Sequence, residues 1–451
     1  MRCVATMLSQ RNLFTLIVAT AIAWAIVPKN DLFAQEESLS RLDTLLLNRA
    51  SSKIDSTVIT GMLGDINEML LRKFKPQRLT RFYDAVKTPA DYFTEMKEVL
   101  GWNFGTYTKN IQEFIIKRQG PDTTNNLWSI HDTPNFKIFY MPSSSDSANL
   151  QILGEYLEAE FTEMKTLLVI DENDNVRSLF IRSFYPSSRK SYEIPDPPDY
   201  TDKRIQILLF PDLIQFQRHF PYEGVDKETG GMCLFSLYQR PEQSPSIYIN
   251  VRVAMVFGGY ISFPFLTHEL AHALHFIYYS DLDTLDTDAA KLSKIYETEG
   301  KEAYNNFFWP TFRDRIPGNN GIFEEAIANY AMFSTGPFLR SGIVPPLRYL
   351  IDRKIKPKSK LISKGAQGAI DFGLLDFIGS KLKLSRTPEQ KVVEEIFSWA
   401  DFLKYLNASR SPQQMRLLYS VKEQDLSSQF NAIFGQPIGK SELEWCKSFS
   451  N

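Results

Sequence analysis

Hydrophobic residues between positions 35 and 128 recur every three or four residues, which is the spacing of one face of an α-helix. The positions that carry this pattern are Leu42, Leu45, Leu46, Ile54, Leu63, Ile66, Met69, Leu70, Tyr92, Met96, Val99 and Leu100. No catalytic motif occurs among them. The pattern therefore predicts an all-helical N-terminal region at 35–128 that supports the rest of the fold.

The pattern then changes, and strand-like segments alternate with helix-like ones. The predicted elements are a strand at 135–140, a helix at 147–168, a second strand at 204–210 and a third strand at 246–253. In the third strand, Val251 and Val253 alternate with Asn250 and Arg252, a period of two that is typical of a strand buried on one face only. These elements predict an α+β region at 129–345.

Beyond Pro345 and Pro346 the spacing of hydrophobic residues is helical again. The groups that carry it run from Ile370 to Ile378, from Val392 to Phe397 and from Phe430 to Phe434. They predict three or more helices in a C-terminal helical subdomain at 346–451. The fold class expected for the chain is thus α+β, with helical regions before and after a mixed centre.

The first 34 residues have the pattern of a secretory signal peptide and are not expected to belong to the fold. Arg2 and Arg11 precede a run of fifteen uncharged residues from Leu13 to Val27, and Leu32-Phe33-Ala34 resembles a cleavage site. An uncleaved anchor is the alternative, but the run is shorter than the roughly 20 apolar residues that span a bilayer. We therefore expect an exported protein, periplasmic or extracellular, without a stable membrane span after cleavage.

Charge and cysteine content narrow the classes of function. The 51 basic and 53 acidic residues give a net charge of −2, and removal of the signal peptide takes away three basic residues and one acidic residue, which leaves −4. A nucleic-acid-binding protein needs a basic excess to offset phosphate charge, so no nucleic-acid partner is expected. Cleavage also removes Cys3, and the remaining Cys233 and Cys446 either pair in an oxidising compartment or stay as free thiols.

Three of the five histidines fall within the segment Thr267–His275, whose other residues are mostly apolar and compatible with a helix. On a helix, residues four apart lie on the same side, one turn from each other, so His268 and His272 can bind one metal ion. Glu269 would lie beside the metal as a general base, in the His-Glu-x-x-His arrangement of zinc hydrolases. The alternative is a helix with unrelated histidines, but histidine pairs on so apolar a helix normally have a function.

A zinc ion held by two histidines needs a third protein ligand. His275 is the nearest candidate and lies on the same helix face as His272. No glycine follows His272 to bend the chain back, so His275 continues along an unbroken helix. A role in packing or behind the ligands is therefore favoured for His275 over direct metal binding.

The segment Glu324-Glu325-Ala326-Ile327-Ala328-Asn329-Tyr330 lies downstream of this motif. Together with the His-Glu-x-x-His helix it resembles the gluzincin metallopeptidases, which include thermolysin-like and aminopeptidase-like enzymes and carry a glutamate ligand on a second helix. The resemblance implies Glu325 as the third zinc ligand, with Glu324 as the alternative. It also implies a small mixed sheet with 246–253 as an edge strand, a metal-binding helix and a following helical subdomain, over about residues 130–450.

Three features depart from the pattern of that family. Residues 280–320 form an insertion between the two motif helices. Asn329 stands where thermolysin-like enzymes have an aspartate that orients the first histidine, and its amide oxygen can accept a hydrogen bond but carries no charge. The tyrosine that stabilises the oxyanion in aminopeptidase-like relatives has no counterpart, since Gly365 or Ile362 falls at its place. Candidates for this donor are Tyr349, Tyr330 and His219.

These features predict an exported zinc metallopeptidase that cleaves a peptide or protein substrate with one zinc ion per chain. Zinc held by His268, His272 and Glu325 would activate water, and Glu269 would transfer the proton. The strand at 246–253 would hold an extended substrate by strand addition. Two alternatives stay open: a gluzincin-like domain that binds a peptide or protein without cutting it, and hydrolysis of a non-peptide amide.

Overall fold

The fold of the chain is given by a computed structural model. The residues it describes are 52–87, 92–102, 106, 110–111, 113–115, 128–141, 147–171, 202–219, 231–238, 248–280, 285–313, 322–335, 361–362, 371–372, 388–421 and 425–448. The signal peptide predicted at 1–34 and Tyr349 lie outside these ranges. Within them, every helix is too short or too polar to cross a membrane.

The N-terminal region is helical in its described parts, as the spacing of its hydrophobic residues predicts. Helix α1 spans Lys53–Lys73, α2 spans Pro76–Ala85, and α3 at Tyr92–Glu95 continues as a π-helical turn at Met96–Leu100. The Ser52 side chain caps α1 by accepting a hydrogen bond from the Asp55 N–H at 3.0 Å. Pro76 begins α2 at a position where a backbone N–H would have no helical partner, and Gly101, with φ 74°, ends the π-helical turn.

The centre of the chain forms a mixed five-stranded sheet within the described residues. Its strands are β1 at Ser129–Asp132, β2 at Phe136–Tyr140, β3 at Ile205–Phe210, β4 at Gly231–Tyr238 and β5 at Tyr248–Val256. The strand order is β1-β2-β3-β5-β4. Strands β2, β3 and β5 run parallel, while β1 and β4 pair antiparallel at the two edges.

The expectation that residues 246–253 form an edge strand buried on one face is wrong. Strand β5 lies between β3 and β4, so both of its sides are paired. Both of its faces are also covered, and Asn250 and Arg252 are only 1% and 3% exposed. The alternation of polar and apolar residues therefore marks two different buried faces. Within the described residues the edge strands are β1 and β4, and β4 is a strand that sequence reasoning missed.

Helices cover the sheet and build the site. They are α4 at Ser147–Leu167, α5 at Leu213–His219, α6 at Phe263–Tyr279, α7 at Leu285–Arg313 and α8 at Ile322–Ser334. Helix α6 follows a 3₁₀ turn at Tyr260–Ser262 and packs against β4 and β5, and α8 packs against α6. Helix α7 occupies most of the predicted insertion at 280–320 and bends at Gly300, which has φ 87°.

The C-terminal part of the chain is mainly helical where it is described. Its helices are α9 at Pro388–Ser409, α10 at Pro412–Tyr419, α11 at Leu426–Phe434 and α12 at Ile438–Lys447. The helix predicted from Ile370 to Ile378 is wrong at Asp371–Phe372, which forms strand β7 and pairs with β6 at Leu361–Ile362. Helix α9 packs along α8, and buried residues of one hydrophobic core extend from Val58 in α1 to Trp445 in α12.

Candidate metal centre

Helix α6 brings two histidines to one point. Pro264 lies in its first turn, and nearly every residue of the helix is buried, as expected for a helix that is apolar on all sides. His268 and His272 are one turn apart, and their Nε2 atoms are separated by 3.2 Å. Two ring nitrogens at this distance direct two lone pairs toward a common point unless one of them carries a proton. The pair is therefore suited to a cation.

Helix α8 adds a carboxylate to this pair. The Glu325 Oε2 atom lies 3.4 Å from the Nε2 of His268, and its Oε1 atom lies 3.6 Å from the Nε2 of His272. The three side chains lie in the buried contact between α6 and α8. They form the group of metal-ligating residues that the sequence predicts, and this group could hold a metal ion.

The dimensions of the group fit a small tetrahedral ion. Zinc binds histidine nitrogen and carboxylate oxygen at about 2.0–2.2 Å, so neighbouring ligand atoms in a tetrahedral site lie about 3.3 Å apart. The two Nε2 atoms are 3.2 Å apart, and each lies 3.4 or 3.6 Å from a carboxylate oxygen of Glu325, with a different oxygen facing each histidine. Two imidazoles and one carboxylate are also the donor set of open zinc sites with three protein ligands. Both the chemistry and the spacing of these residues therefore fit zinc.

Electrostatic coupling holds the three side chains together. Burial opposes the charged form of His272, but the carboxylates of Glu325 and Glu324 raise its pKa well above the usual value. Burial likewise opposes the charged form of Glu325, but His272 and His268 lower its pKa. The structure thus concentrates ionisable groups in a desolvated position, where their mutual attraction is strong.

Glu269 lies beside the group and is buried with it. Burial raises the pKa of the Glu269 carboxyl. The two histidines and a hydrogen bond donated by the backbone N–H of Cys233 lower this pKa and offset part of the rise. Cys233 belongs to the edge strand β4, so this strand positions the predicted general base. The side chain of Cys233 is a free thiol. Burial and the charges of Glu269 and Glu324 raise its pKa well above the usual value.

Glu324 takes a different position from Glu325. Its Oε1 atom lies 3.4 Å from Nδ1 of His272, the ring nitrogen on the side away from the three ligand atoms. The ligand atoms themselves are contributed by Glu325 and by the Nε2 atoms of the two histidines. The geometry therefore favours Glu325 over the alternative ligand, Glu324.

His275 lies apart from the ligand group, in a packing position. It is buried, and its Nε2 lies 2.8 Å from the backbone oxygen of Tyr419 in α10. Burial lowers its pKa. This arrangement accords with the packing role that the sequence favours for His275.

The side chains predicted to assist the ligands have other partners. The Asn329 amide donates to the backbone oxygen of Glu325 at 2.7 Å. Its Oδ1 atom and Nδ1 of His268 are both buried without a hydrogen-bond partner among the described residues, so the predicted bond between this amide and a histidine is absent there. The Tyr330 hydroxyl accepts a hydrogen bond from Asn407 at 2.8 Å, and burial raises its pKa.

Several predicted participants are not described. The structure does not describe the side chains of His219, Ile362 and Cys446. It describes no part of Gly365 or Tyr349. Of the three candidates for the oxyanion donor, Tyr349, Tyr330 and His219, the structure therefore describes the side chain of Tyr330 alone.

Two helices outside the motif fix helix α6 in place. From α4, the Tyr156 hydroxyl bonds to Thr267, the residue before His268, at 2.6 Å, and Glu160 accepts from Thr335 at the end of α8. From α1, Asp65 accepts a hydrogen bond from the Ile261 N–H at 3.0 Å, in the turn that leads into α6.

The close approach of α1 to this turn depends on a glycine. A Cβ atom at Gly61 would lie only 2.4 Å from the ring of Tyr260. Only a glycine at this position lets the helix backbone rest directly on the aromatic ring. The N-terminal helix is thus packed against the approach to the metal-binding helix.

Comparisons of the chain with protein-family models, with curated proteins and with solved structures give no match.

Proposed function

We propose that the protein is a metal-dependent hydrolase. More specifically, it is an exported zinc metallopeptidase that resembles the gluzincins and acts on a peptide or protein. The observation that carries this proposal is the triangle of ligand atoms from His268, His272 and Glu325, with Glu269 beside it. Each chain would hold one zinc ion.

The roles of the side chains follow from their positions. Zinc supplies Lewis-acid chemistry that makes water a sufficiently good nucleophile at neutral pH. Glu269 takes a proton from the attacking water and passes it to the amine that leaves the cleaved peptide bond. The N–H of Cys233 holds the Glu269 carboxylate in place for both transfers. His268, His272 and Glu325 would hold the zinc ion in a buried position.

The substrate would lie along β4 and not along the strand at 246–253. Strand β5 is paired on both sides, whereas β4 pairs with β5 on one side and is the last strand of the described sheet. An extended peptide that adds to β4 would lie next to Glu269, because Cys233 of β4 contacts that carboxylate. This position would present a peptide bond to the general base.

The decisive experiment is the Glu269→Gln variant. It should keep one zinc ion per chain, since no ligand atom is changed, and it should lose cleavage of a mixture of denatured proteins. Glu299→Gln, an exposed substitution on α7, is the matched control and should keep both properties. Retained cleavage in Glu269→Gln would sink the mechanism.

A second candidate is a gluzincin-like domain that binds peptides without cutting them. The observation that favours it is that the Tyr330 hydroxyl, one of the candidate oxyanion donors, is buried and already has Asn407 as a hydrogen-bond partner. Under this proposal the wild-type protein binds peptides but shows no turnover with added zinc. Under the first proposal turnover occurs and is abolished by a chelator.

A further inference from the structure

His272 lies between two adjacent carboxylates of helix α8. Its Nε2 lies 3.6 Å from Oε1 of Glu325, and its Nδ1 lies 3.4 Å from Oε1 of Glu324. Consecutive residues on a helix point about 100° apart, so two neighbouring side chains can reach two edges of one imidazole ring. Both carboxylates are largely buried, which leaves little room for water to replace either contact.

The other histidine of the pair has a different environment. Nδ1 of His268 is buried without a hydrogen-bond partner among the described residues. The two imidazoles are thus not equivalent, although both present Nε2 to the same point. Among the described residues, a carboxylate lies at the second nitrogen of His272 but not at that of His268.

A carboxylate at the second nitrogen has a defined chemical effect. A neutral imidazole carries a single N–H, and the partner of one nitrogen decides which nitrogen holds it. An acceptor at Nδ1 keeps the proton there and leaves the lone pair of Nε2 free for a metal ion. Such an acceptor also orients the ring and makes the nitrogen a better donor to the metal.

We propose that Glu324 is a positioning residue of the metal centre, which accepts the Nδ1–H of His272 and thereby makes His272 the stronger of the two histidine ligands. This inference rests on the proposed function, because it assigns a role toward the same metal ion. Helix α8 then supplies a ligand from Glu325 and the support of a second ligand from the preceding residue. The pair Glu324-Glu325 acts as one unit, and the two carboxylates have different roles.

The test uses the full chain labelled with ¹⁵N at histidine. The chain has only five histidines, so the imidazole spectrum is simple, and the spectrum of His272→Phe assigns the His272 signals. The first readout is the Nδ1–H proton of His272, which a hydrogen bond protects from exchange with water. The second readout is zinc affinity, measured by competition with a chromophoric chelator.

Three variants separate the possible roles of Glu324. Glu324→Ala removes the acceptor and should lower zinc affinity by about 10- to 100-fold, with loss of the protected Nδ1–H signal. Glu324→Gln keeps an acceptor oxygen in nearly the same volume and should retain the signal and most of the affinity. Glu299→Ala, on the exposed side of α7, should change neither readout. Far-ultraviolet circular dichroism identifies any variant that fails to fold, in which case Glu324→Gln carries the test.

Two outcomes would overturn the inference. One is a zinc affinity within twofold of the wild type in Glu324→Ala. The other is loss of zinc in that variant while the Nδ1–H signal stays protected, which would make Glu324 a ligand. If the wild-type protein binds no zinc, the proposed function fails, yet the protected signal in the metal-free protein and its loss in Glu324→Ala still decide whether Glu324 holds His272.

Discussion

The hydroxyl groups of Tyr156 and Thr267 lie 2.6 Å apart in a buried contact that joins helix α4 to the residue before His268. The ring of Tyr156 also packs against Phe263 at the start of α6, with 4.9 Å between ring centroids. One side chain of α4 thus contacts the metal-binding helix both at its beginning and beside its first ligand. This contact fixes the first part of the helix.

Tyr156→Phe removes the hydroxyl and leaves the ring. We expect the free energy of unfolding to fall by about 1–2 kcal/mol, because the Thr267 hydroxyl loses a buried partner. Urea unfolding followed by tryptophan fluorescence measures the change. Tyr296→Phe on α7 is the control and should shift the midpoint by much less. Equal midpoints for Tyr156→Phe and the wild type would mean that the contact contributes nothing.

Two glycines of α1, three positions apart, give a matched pair of substitutions. Gly61→Ala places a Cβ against the Tyr260 ring and should destabilise the protein by about 1–3 kcal/mol, since either the ring or α1 must move. Gly64→Ala meets nothing within 4 Å and should stabilise the protein by about 0.5–1 kcal/mol, because alanine favours the helix. Thermal unfolding of both variants checks the signs. The same sign for both would contradict the packing of α1 on the turn.

Removal of metal should lower the melting temperature, because an ion that binds only the folded state stabilises it. Free zinc at a thousand times its dissociation constant would add about 4 kcal/mol to the free energy of unfolding. Calorimetry after treatment with a chelator, followed by zinc, should show the loss and the recovery. Magnesium should not restore the stability, because it prefers oxygen ligands.

A variant without one ligand gives the control for this experiment. His272→Ala should melt at the same temperature with and without zinc, since only His268 and Glu325 remain in the group. A zinc-dependent shift of wild-type size in this variant would place the ion elsewhere in the molecule.

Glu442 in α12 should make stability fall as pH rises. Its side chain is fully buried, both carboxyl oxygens lack a hydrogen-bond partner among the described residues, and burial raises its pKa from 4.5 to about 7. The unfolded chain releases this proton near pH 4.5, while the folded protein keeps it until about pH 7. Stability from this group is therefore lost as pH rises through that window, by up to about 3 kcal/mol.

Glu442→Gln removes this titration and keeps the shape of the side chain. The variant should gain stability over the wild type above pH 7, and the difference should decline toward pH 4.5. Urea midpoints at a series of pH values measure this, with the exposed Glu297→Gln as control. A pH-independent difference would show that burial of the carboxyl group does not control its ionisation.

The spacing of residues in the sequence was sufficient to predict those features of the site that lie within a single helix. The separation of His268 and His272 by four residues predicts their common face, and the structure brings their Nε2 atoms within 3.2 Å. The long helix predicted at 147–168 is confirmed as Ser147–Leu167. Local periodicity was sufficient in both cases, because helix geometry alone decides which residues share a face.

Other features depend on contacts between distant segments and could not be read from periodicity. Strand β4 is a mainly apolar run, interrupted by Ser236, without regular alternation, and only its first glycine and its β-forming residues indicate a strand. Which of Glu324 and Glu325 faces the Nε2 atoms is set by the rotation of α8 against α6. Asn250 and Arg252 are polar residues that would be expected to face solvent, yet both are buried in the folded protein.

The contact between Asp65 and Ile261 joins residues 196 positions apart, and this separation has a consequence for how the chain folds. Synthesis proceeds from the N-terminus, so the residues of α1 are made long before the turn on which the helix rests. The apolar side of α1, which includes Val58 and Ile66, becomes buried only after the later segment has been made. Contacts between segments so far apart in the sequence slow folding. We therefore expect the metal-binding helix to be fixed late, when the first and middle parts of the chain meet.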